Sequence, residues 1–144
     1  VRIAIASDHA AVDLRLHIAE HLESLGHDVD DLGPEPGERV DYPKYAAAVA
    51  GAVSQGGCDK GVLLCGSGIG MSIAANKLAG IRAALVHDVT TARLAAEHND
   101  ANVLCLGART MGTAVAIECV DAWLAAAFDP RHQPRLDLIT GLED

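Results

Sequence analysis

A chain of 144 residues, half of them hydrophobic, with a net charge of −9 is one domain's worth of sequence, long enough to bury about two-thirds of its unfolded surface. The acidic balance repels phosphate backbones, and the four aromatic residues (Tyr42, Tyr45, Trp123 and Phe128) are too few for base-stacking platforms, so nucleic acid is excluded as a partner. Composition also excludes intrinsic disorder and a disulfide scaffold, and no apolar run approaches the roughly 20 residues that span a bilayer.

Short β-like runs alternate with helical stretches along the chain. Residues 2–6 are rich in β-branched side chains, and Ser7 and Asp8 follow as candidate caps whose oxygens can take up backbone N–H groups. Leu14, Ile18, Leu22 and Leu25 recur at helical spacing, with Gly26 as the stop signal. Residues 27–32 read as a second strand, and the polar segment 33–42, with Pro34, Pro36 and Gly37, as a loop. Pro43 opens a helix from the N1 position, and the alanine-rich run to Val53 continues it until Gly56 and Gly57. Residues 61–65 form a third strand, and a glycine-rich turn at 66–70 leads into a helix predicted at 71–78. A fourth strand is expected at 82–86, followed by a helix capped by Asp88 and running to about Glu97. A fifth strand at 101–106 precedes a helix from Thr110 to about Ala127. The tail from Asp129 is polar, with a last short helix at 136–139.

This alternation implies βαβ units. The predicted fold is α/β: a Rossmann-like three-layer αβα sandwich with a parallel sheet of about five strands and a C-terminal helical tail, a single domain over 1–144. Ligands of such sheets bind beyond the carboxyl ends of the strands. That edge carries residues 7–9, 65–70, 87–88 and 107–109. Residues 1–6 lack the flanks of a secretory signal. The four cysteines (Cys58, Cys65, Cys105 and Cys119) show neither a CxxC pair nor zinc-ligand spacing. A soluble cytoplasmic protein with reduced thiols is the expectation.

The strongest local signal is Leu63-Leu64-Cys65-Gly66-Ser67-Gly68-Ile69-Gly70-Met71. Three glycines in five residues let the backbone approach a ligand, and N–H groups converging at a helix N-terminus favour an anion. The plain alternative is a tight strand-to-helix turn with no ligand. The spacing is GxGxG rather than GxGxxG, the Lys-Ser/Thr of a phosphate-binding P-loop is missing, and a hydrolase elbow on Ser67 would need glycine at 65 and 69. Cys65 ends a strand beside the N–H cluster, where a cysteine can serve as nucleophile or general base, although a lone cysteine is more often structural. Cys105 and Cys119, inside apolar stretches, read as small buried hydrophobes.

His17 and His21 have the i, i+4 spacing of a metal pair without a third ligand in sight, and read as a solvated helix face. His9 follows Asp8 at the ligand edge. His98, with Asn99, closes the fourth helix, where a histidine is commonly a dipole partner. After position 100 the basic residues other than histidine are Arg109, Arg131 and Arg135. Arginine suits bidentate phosphate binding, although an isolated arginine is ordinarily surface charge.

Together these pieces resemble a known family, the type B ribose-5-phosphate isomerases and the related galactose-6-phosphate isomerase subunits. The matching motifs are Ala6-Ser7-Asp8-His9-Ala10-Ala11, Asp41-Tyr42-Pro43, Cys65-Gly66-Ser67-Gly68-Ile69-Gly70, Ala74-Ala75-Asn76-Lys77, Glu97-His98-Asn99, Leu106-Gly107-Ala108-Arg109 and Arg131-His132-Gln133. They run in family order through nearly the whole chain.

The resemblance implies a metal-independent, cofactor-free aldose–ketose isomerase of the pentose phosphate pathway that interconverts ribose 5-phosphate and ribulose 5-phosphate through a cis-enediolate. By the family pattern Cys65 is the base, the N–H groups of Gly66, Ser67, Gly68, Ile69 and Gly70 form the anion hole, and Ser67 moves protons between O1 and O2. His98 opens the furanose ring with help from Asp8. His9, Arg109, Arg131 and Arg135 hold the phosphate, and Tyr42 and Asn99 line the sugar site. Some members use a glutamate on the following helix as base; here Met71 stands there, so the chain resembles the cysteine-base subgroup. Ser67 replaces the commoner threonine. The resemblance also implies a homodimer or dimer of dimers with sites shared between subunits, the tail from about 129 packing on a partner. Allose 6-phosphate, galactose 6-phosphate or a four-carbon sugar phosphate are alternative substrates. A non-catalytic ligand-binding or receiver-type domain is the rival of another class, but a receiver needs an aspartate where this chain has Cys65.

Overall fold

The β-branched and apolar runs of the sequence become sheet strands. In the computed structural model, which describes residues 1–143, β1 (Arg2–Ser7), β2 (Asp28–Asp31), β3 (Lys60–Cys65), β4 (Ala83–Leu85) and β5 (Val103–Gly107) pair as one parallel sheet in the order β2-β1-β3-β5-β4. The helices are α1 (Val12–Ser24), α2 (Tyr42–Ser54), α3 (Ile69–Ala75), α4 (Val89–Glu97), α5 (Thr113–Ala125) and α6 (Gln133–Thr140). Short 3-10 turns at His9–Ala11 and Pro130–His132 precede α1 and α6. The expected Rossmann-like sandwich is therefore the observed one.

Side chains alternate between the two sheet faces, so each strand supplies two cores. Ile3, Ile5, Val62, Leu64, Leu104 and Leu106 face α1, α4 and α5, where Trp123 is fully buried. Burying each such side chain contributes roughly 1.5–3 kcal/mol. The Trp123 indole N–H is satisfied by the Ala101 carbonyl at 2.9 Å, and the Lys60 ammonium stands 4.9 Å from its ring centre. Ala4, Ala6, Leu63, Cys65, Val103 and Cys105 face α2 and α3. Residues here are smaller, and α2 lies close: a Cβ at Gly61 would meet the Val49 side chain at 2.5 Å.

Several boundaries differ from the sequence expectation: β5 starts at Val103 rather than 101, α5 ends at Ala125 rather than about 127, and the last helix starts at Gln133 rather than 136. Three further differences have reasons in nearby hydrogen bonds and turns. α3 starts at Ile69, two residues early, because Gly68 turns the chain at φ +76°. It stops at Ala75 because the Asn76 amide instead bonds the Ala83 backbone both ways, at 2.8 and 2.9 Å. α5 starts three residues late because the Thr110 N–H and hydroxyl both turn back to the Gly107 carbonyl, each at 3.3 Å. Asp88 caps α4 as expected, accepting from the Thr91 N–H at 2.6 Å, which holds its carboxyl below the usual carboxylate range. His21 is a correction: it is not on a solvated face but bonds Asp121 at 2.7 Å and ties α1 to α5. Cys105 and Cys119 are buried and free as expected. Burial, then the neighbouring Cys65, pushes the Cys105 thiol far up, and burial pushes Cys119 up to about 11. Among the described residues no helix is long and apolar enough to cross a membrane.

Candidate active site

The chain leaves β1 towards β2 on one side and leaves β3 towards β4 on the other. Such a reversal opens a crevice beyond the carboxyl ends of the two strands. Asp8 and His9 follow β1, and Cys65 ends β3 beside them, the Asp8 N–H donating to the Leu64 carbonyl at 3.1 Å. β5 completes the floor. Its ladder with β3 runs on into the turns, where Ala108 and Arg109 N–H groups donate to the carbonyls of Cys65 and Gly66, both at 2.9 Å.

Cys65 is only 5 % exposed, and its Sγ accepts from the Gly68 N–H at 3.1 Å. The turn therefore wraps the sulfur rather than merely following it. Ser67 Oγ accepts from the Ile69 N–H at 3.2 Å. The Gly70 and Met71 N–H groups lie in the first turn of α3, where no intrahelical acceptor exists. A bound anion can receive them.

Two glycines show what passes over the turn. A Cβ at Gly70 would lie 2.7–2.8 Å from the Tyr42 ring and hydroxyl, so Tyr42, at the start of α2, closes over the turn. At Gly66 a Cβ would touch the Arg109 side chain at 3.4–3.5 Å, so that guanidinium also reaches the turn. Asp8 Oδ1 accepts from the Ala10 N–H at 2.9 Å and caps the 3-10 turn that presents His9. The His9 Nδ1 sits 3.0 Å from the Val40 carbonyl and 3.2 Å from its N–H, one of which it can bond at a time. A cavity of about 430 Å³ beside His9 is walled by Ala10, Asp13, Ala108 and Thr113.

Arg15 was not legible as part of this site. Its side chain is 3 % exposed; one terminal nitrogen donates to Ser7 Oγ at 2.9 Å and the other to the Pro34 carbonyl at 2.8 Å. Its Nε lies 3.2 Å from Asp31 Oδ1 but out of hydrogen-bond alignment, a charge contact only. Arg15 thus pins the end of β1 to the loop that carries Val40 and leads into Tyr42. The available signal was a charged residue in register with the apolar positions Ile18 and Leu22.

The remaining candidates lie elsewhere. α4 runs back from the carboxyl to the amino edge of the sheet, and nine residues cover about 14 Å. His98 caps its far end. The tail is bonded there: the Asp129 N–H donates to the Glu97 carbonyl at 2.9 Å, and the His132 ring packs against the His98 ring at a 40° tilt with centroids 4.5 Å apart. Arg131 and Arg135 flank His132, and Asn99 lines a cavity of about 230 Å³ with Asn76, Arg82 and Ile139. One chain therefore brings Cys65, the 66–70 turn, Asp8, His9, Tyr42 and Arg109 together. It gathers His98, Asn99, Arg131 and Arg135 at the opposite edge.

A three-layer α/β sandwich with a thiol, a glycine turn and basic side chains beyond its strand ends is the architecture of a small-molecule enzyme for an anionic substrate. The family model described as Ribose/Galactose Isomerase matches residues 3–139, and the chain belongs to that family. It is a sugar-phosphate isomerase of the aldose–ketose class. It is 47% identical over 143 residues to ribose-5-phosphate isomerase B of Escherichia coli, covering 99% of this chain and 96% of that one. It is 42% identical to the galactose-6-phosphate isomerase subunit LacB of Clostridium acetobutylicum (99% and 82% covered). With the D-erythrulose-4-phosphate isomerase of Pectobacterium atrosepticum the identity is 46% (88% and 84% covered). Among solved structures, ribose-5-phosphate isomerase B of Clostridium thermocellum superposes with a TM-score of 0.97 at 45% identity, covering 99% and 97% of the two chains. That of Mycoplasma genitalium with bound ribulose 5-phosphate superposes at 0.93 and 44%, covering 97% and 94%.

Proposed function

We propose that this chain interconverts ribose 5-phosphate and ribulose 5-phosphate through a cis-enediolate, with Cys65 as the base that carries the proton between C2 and C1. The observation that carries the reading is the position of Cys65 Sγ, at the end of β3 and wrapped by the glycine turn whose Gly68 N–H donates to it. Removing the C2 proton puts negative charge on a substrate oxygen. Fixed N–H groups of residues 66–70 meet that charge without reorganising. The Ser67 hydroxyl moves the proton between O1 and O2. Tyr42 walls the sugar site over Gly70, while His9 and Arg109 take the phosphate from the same edge.

His98, which opens the furanose ring with Asp8, and Arg131, Arg135 and Asn99 belong in this reading to a second copy. Within one chain α4 carries them about 14 Å away from the carboxyl edge; a homodimer joining the amino edge of one copy to the carboxyl edge of the other completes the set. Ile69 and Ile73 on α3 and Leu138 and Ile139 on α6 are exposed apolar side chains that such a pairing covers. A cytoplasmic enzyme without cofactor or metal is part of the same reading, in keeping with four free thiols.

The E. coli relative's name and the ribulose 5-phosphate in the M. genitalium relative support the five-carbon substrate. The relatives named for galactose 6-phosphate and erythrulose 4-phosphate favour a second reading, the same chemistry on a longer or shorter sugar. Steady-state kinetics with four-, five- and six-carbon sugar phosphates decide between them, the largest kcat/KM identifying the substrate. With that substrate, Cys65→Ala loses about 10³-fold in kcat while its KM stays within a few-fold. Wild-type turnover in the variant would sink the assignment of the base.

A further inference from the structure

The turn between α4 and β5 carries His98 and Asn99, and it bends sharply. Asp100 has φ +46°, the one left-handed backbone other than glycine among the described residues. Helices ordinarily end this way on a glycine, because a Cβ crowds the backbone there. The Asp100 N–H donates back to the Ala96 carbonyl at 3.2 Å, and the Ala101 N–H to the Ala95 carbonyl at 2.9 Å. The last turn of α4, which His98 caps, therefore depends on Asp100 staying bent.

Arg82, just ahead of β4, holds that bend. Its Nε donates to the Asp100 carbonyl at 2.9 Å, and a terminal nitrogen donates to Asp100 Oδ2 at 3.4 Å. The fork takes one residue by main chain and side chain together, which a single-point cation does not do. Its positive charge also stands beyond the C-terminus of α4, where the helix dipole favours it. Arg82 is itself fixed. Its N–H donates to Asn102 Oδ1 at 2.8 Å, its carbonyl accepts from the Asn102 N–H at 3.1 Å, and the Asn102 amide donates to the Gly80 carbonyl at 2.9 Å. Arg82 and Asn99 line the same cavity.

Opening a furanose takes the proton from the C1 hydroxyl, breaks the C1–O4 bond and returns a proton to O4. One imidazole must face both oxygens, so a displacement of about 1 Å is costly. We infer that Arg82 is a positioning residue for His98: by bending the chain at Asp100 it fixes where the imidazole meets the ring oxygens. The inference rests on the reading above that His98 opens the furanose.

The test compares two sugars in the whole enzyme: ribose 5-phosphate, which is mostly closed, and 4-deoxyribose 5-phosphate, which lacks O4 and stays open. Both carry the same phosphate, so any loss of phosphate binding cancels in the ratio of their kcat/KM values. Arg82→Ala should lower kcat/KM for ribose 5-phosphate by about 30-fold and for the open analogue by less than about threefold. His98→Asn is the control and should show the same asymmetry. Arg82→Lys keeps the charge and one donor; its ratio should lie between wild type and the alanine variant, and it carries the test if the alanine chain does not fold. Equal losses for both sugars in the Arg82 variants, with asymmetry in His98→Asn, overturn the inference and leave the ring-opening reading intact. Equal losses in His98→Asn overturn both. Amide hydrogen exchange gives an independent measurement. The Asp100 and Ala101 N–H groups should exchange about tenfold faster in Arg82→Lys while those of β3 stay unchanged; unchanged exchange at Asp100 and Ala101 overturns the inference.

Discussion

The two edges of the sheet are made differently. At the carboxyl edge, the candidate groups hang from buried strand ends and from the backbone itself: Cys65 is 5 % exposed, and its donor is the Gly68 N–H. At the amino edge, they are side chains at the end of α4 and on a terminal tail, and Arg131 and Arg135 are exposed. The first kind of construction fixes positions to the accuracy of a β-ladder. The second tolerates change, because moving an exposed arginine disturbs no core. On the proposed reading, proton transfer occupies the rigid edge and phosphate recognition largely the adaptable one. One scaffold can then serve sugars of several lengths, as the names of its relatives indicate.

The comparison breaks most visibly if the two edges act within one chain. Cys65→Ala and His98→Asn chains, each nearly inactive, are denatured and refolded as an equal mixture. Half of randomly paired chains then carry one intact site, so about a quarter of wild-type turnover returns. Turnover no greater than the sum of the separate variants would remove the shared-site architecture.

The rigid edge is tested next through Arg15. Arg15→Met leaves Ser7 Oγ and the Pro34 carbonyl without their donor, and Asp31 without its charge partner. Asp31 keeps some solvent, so unfolding free energy falls by about 2–3 kcal/mol in urea titration. Because Arg15 bears on both His9 and Tyr42, KM rises several-fold as well; a stability loss with unchanged KM would confine Arg15 to the fold. The smallest effect belongs to Gly70→Ala. The added methyl pushes the Tyr42 ring, which is 38% exposed and free to yield. KM should rise by about fivefold with little change in melting temperature. A large fall in melting temperature instead would mean that Tyr42 is held as firmly as Cys65.

Periodicity and glycine placement made the five strands and the helices legible, because short apolar runs and capping residues act locally. One misplaced boundary has a cause outside its own element: α3 ends where Asn76 finds the Ala83 backbone, seven residues on, and nothing in the spacing of 71–78 announces it. His21 read as solvated because its partner Asp121 is a hundred residues away. The motif residues of the candidate site were all visible in the sequence; Arg15 was not, since a single arginine near an apolar face gives no hint of three separate partners.

By itself, the sequence determined the layer architecture, the turn that wraps a cysteine at a strand end, and the set of basic residues available for a phosphate. These follow from pattern and spacing, which a chain carries locally. Only the tertiary structure decided which of those residues meet. Parallel strands send every helix back across the sheet, so His98 and the tail arginines end up at the edge opposite Cys65. That separation is a consequence of handed βαβ winding and helix length, and it cannot be read from residue types alone.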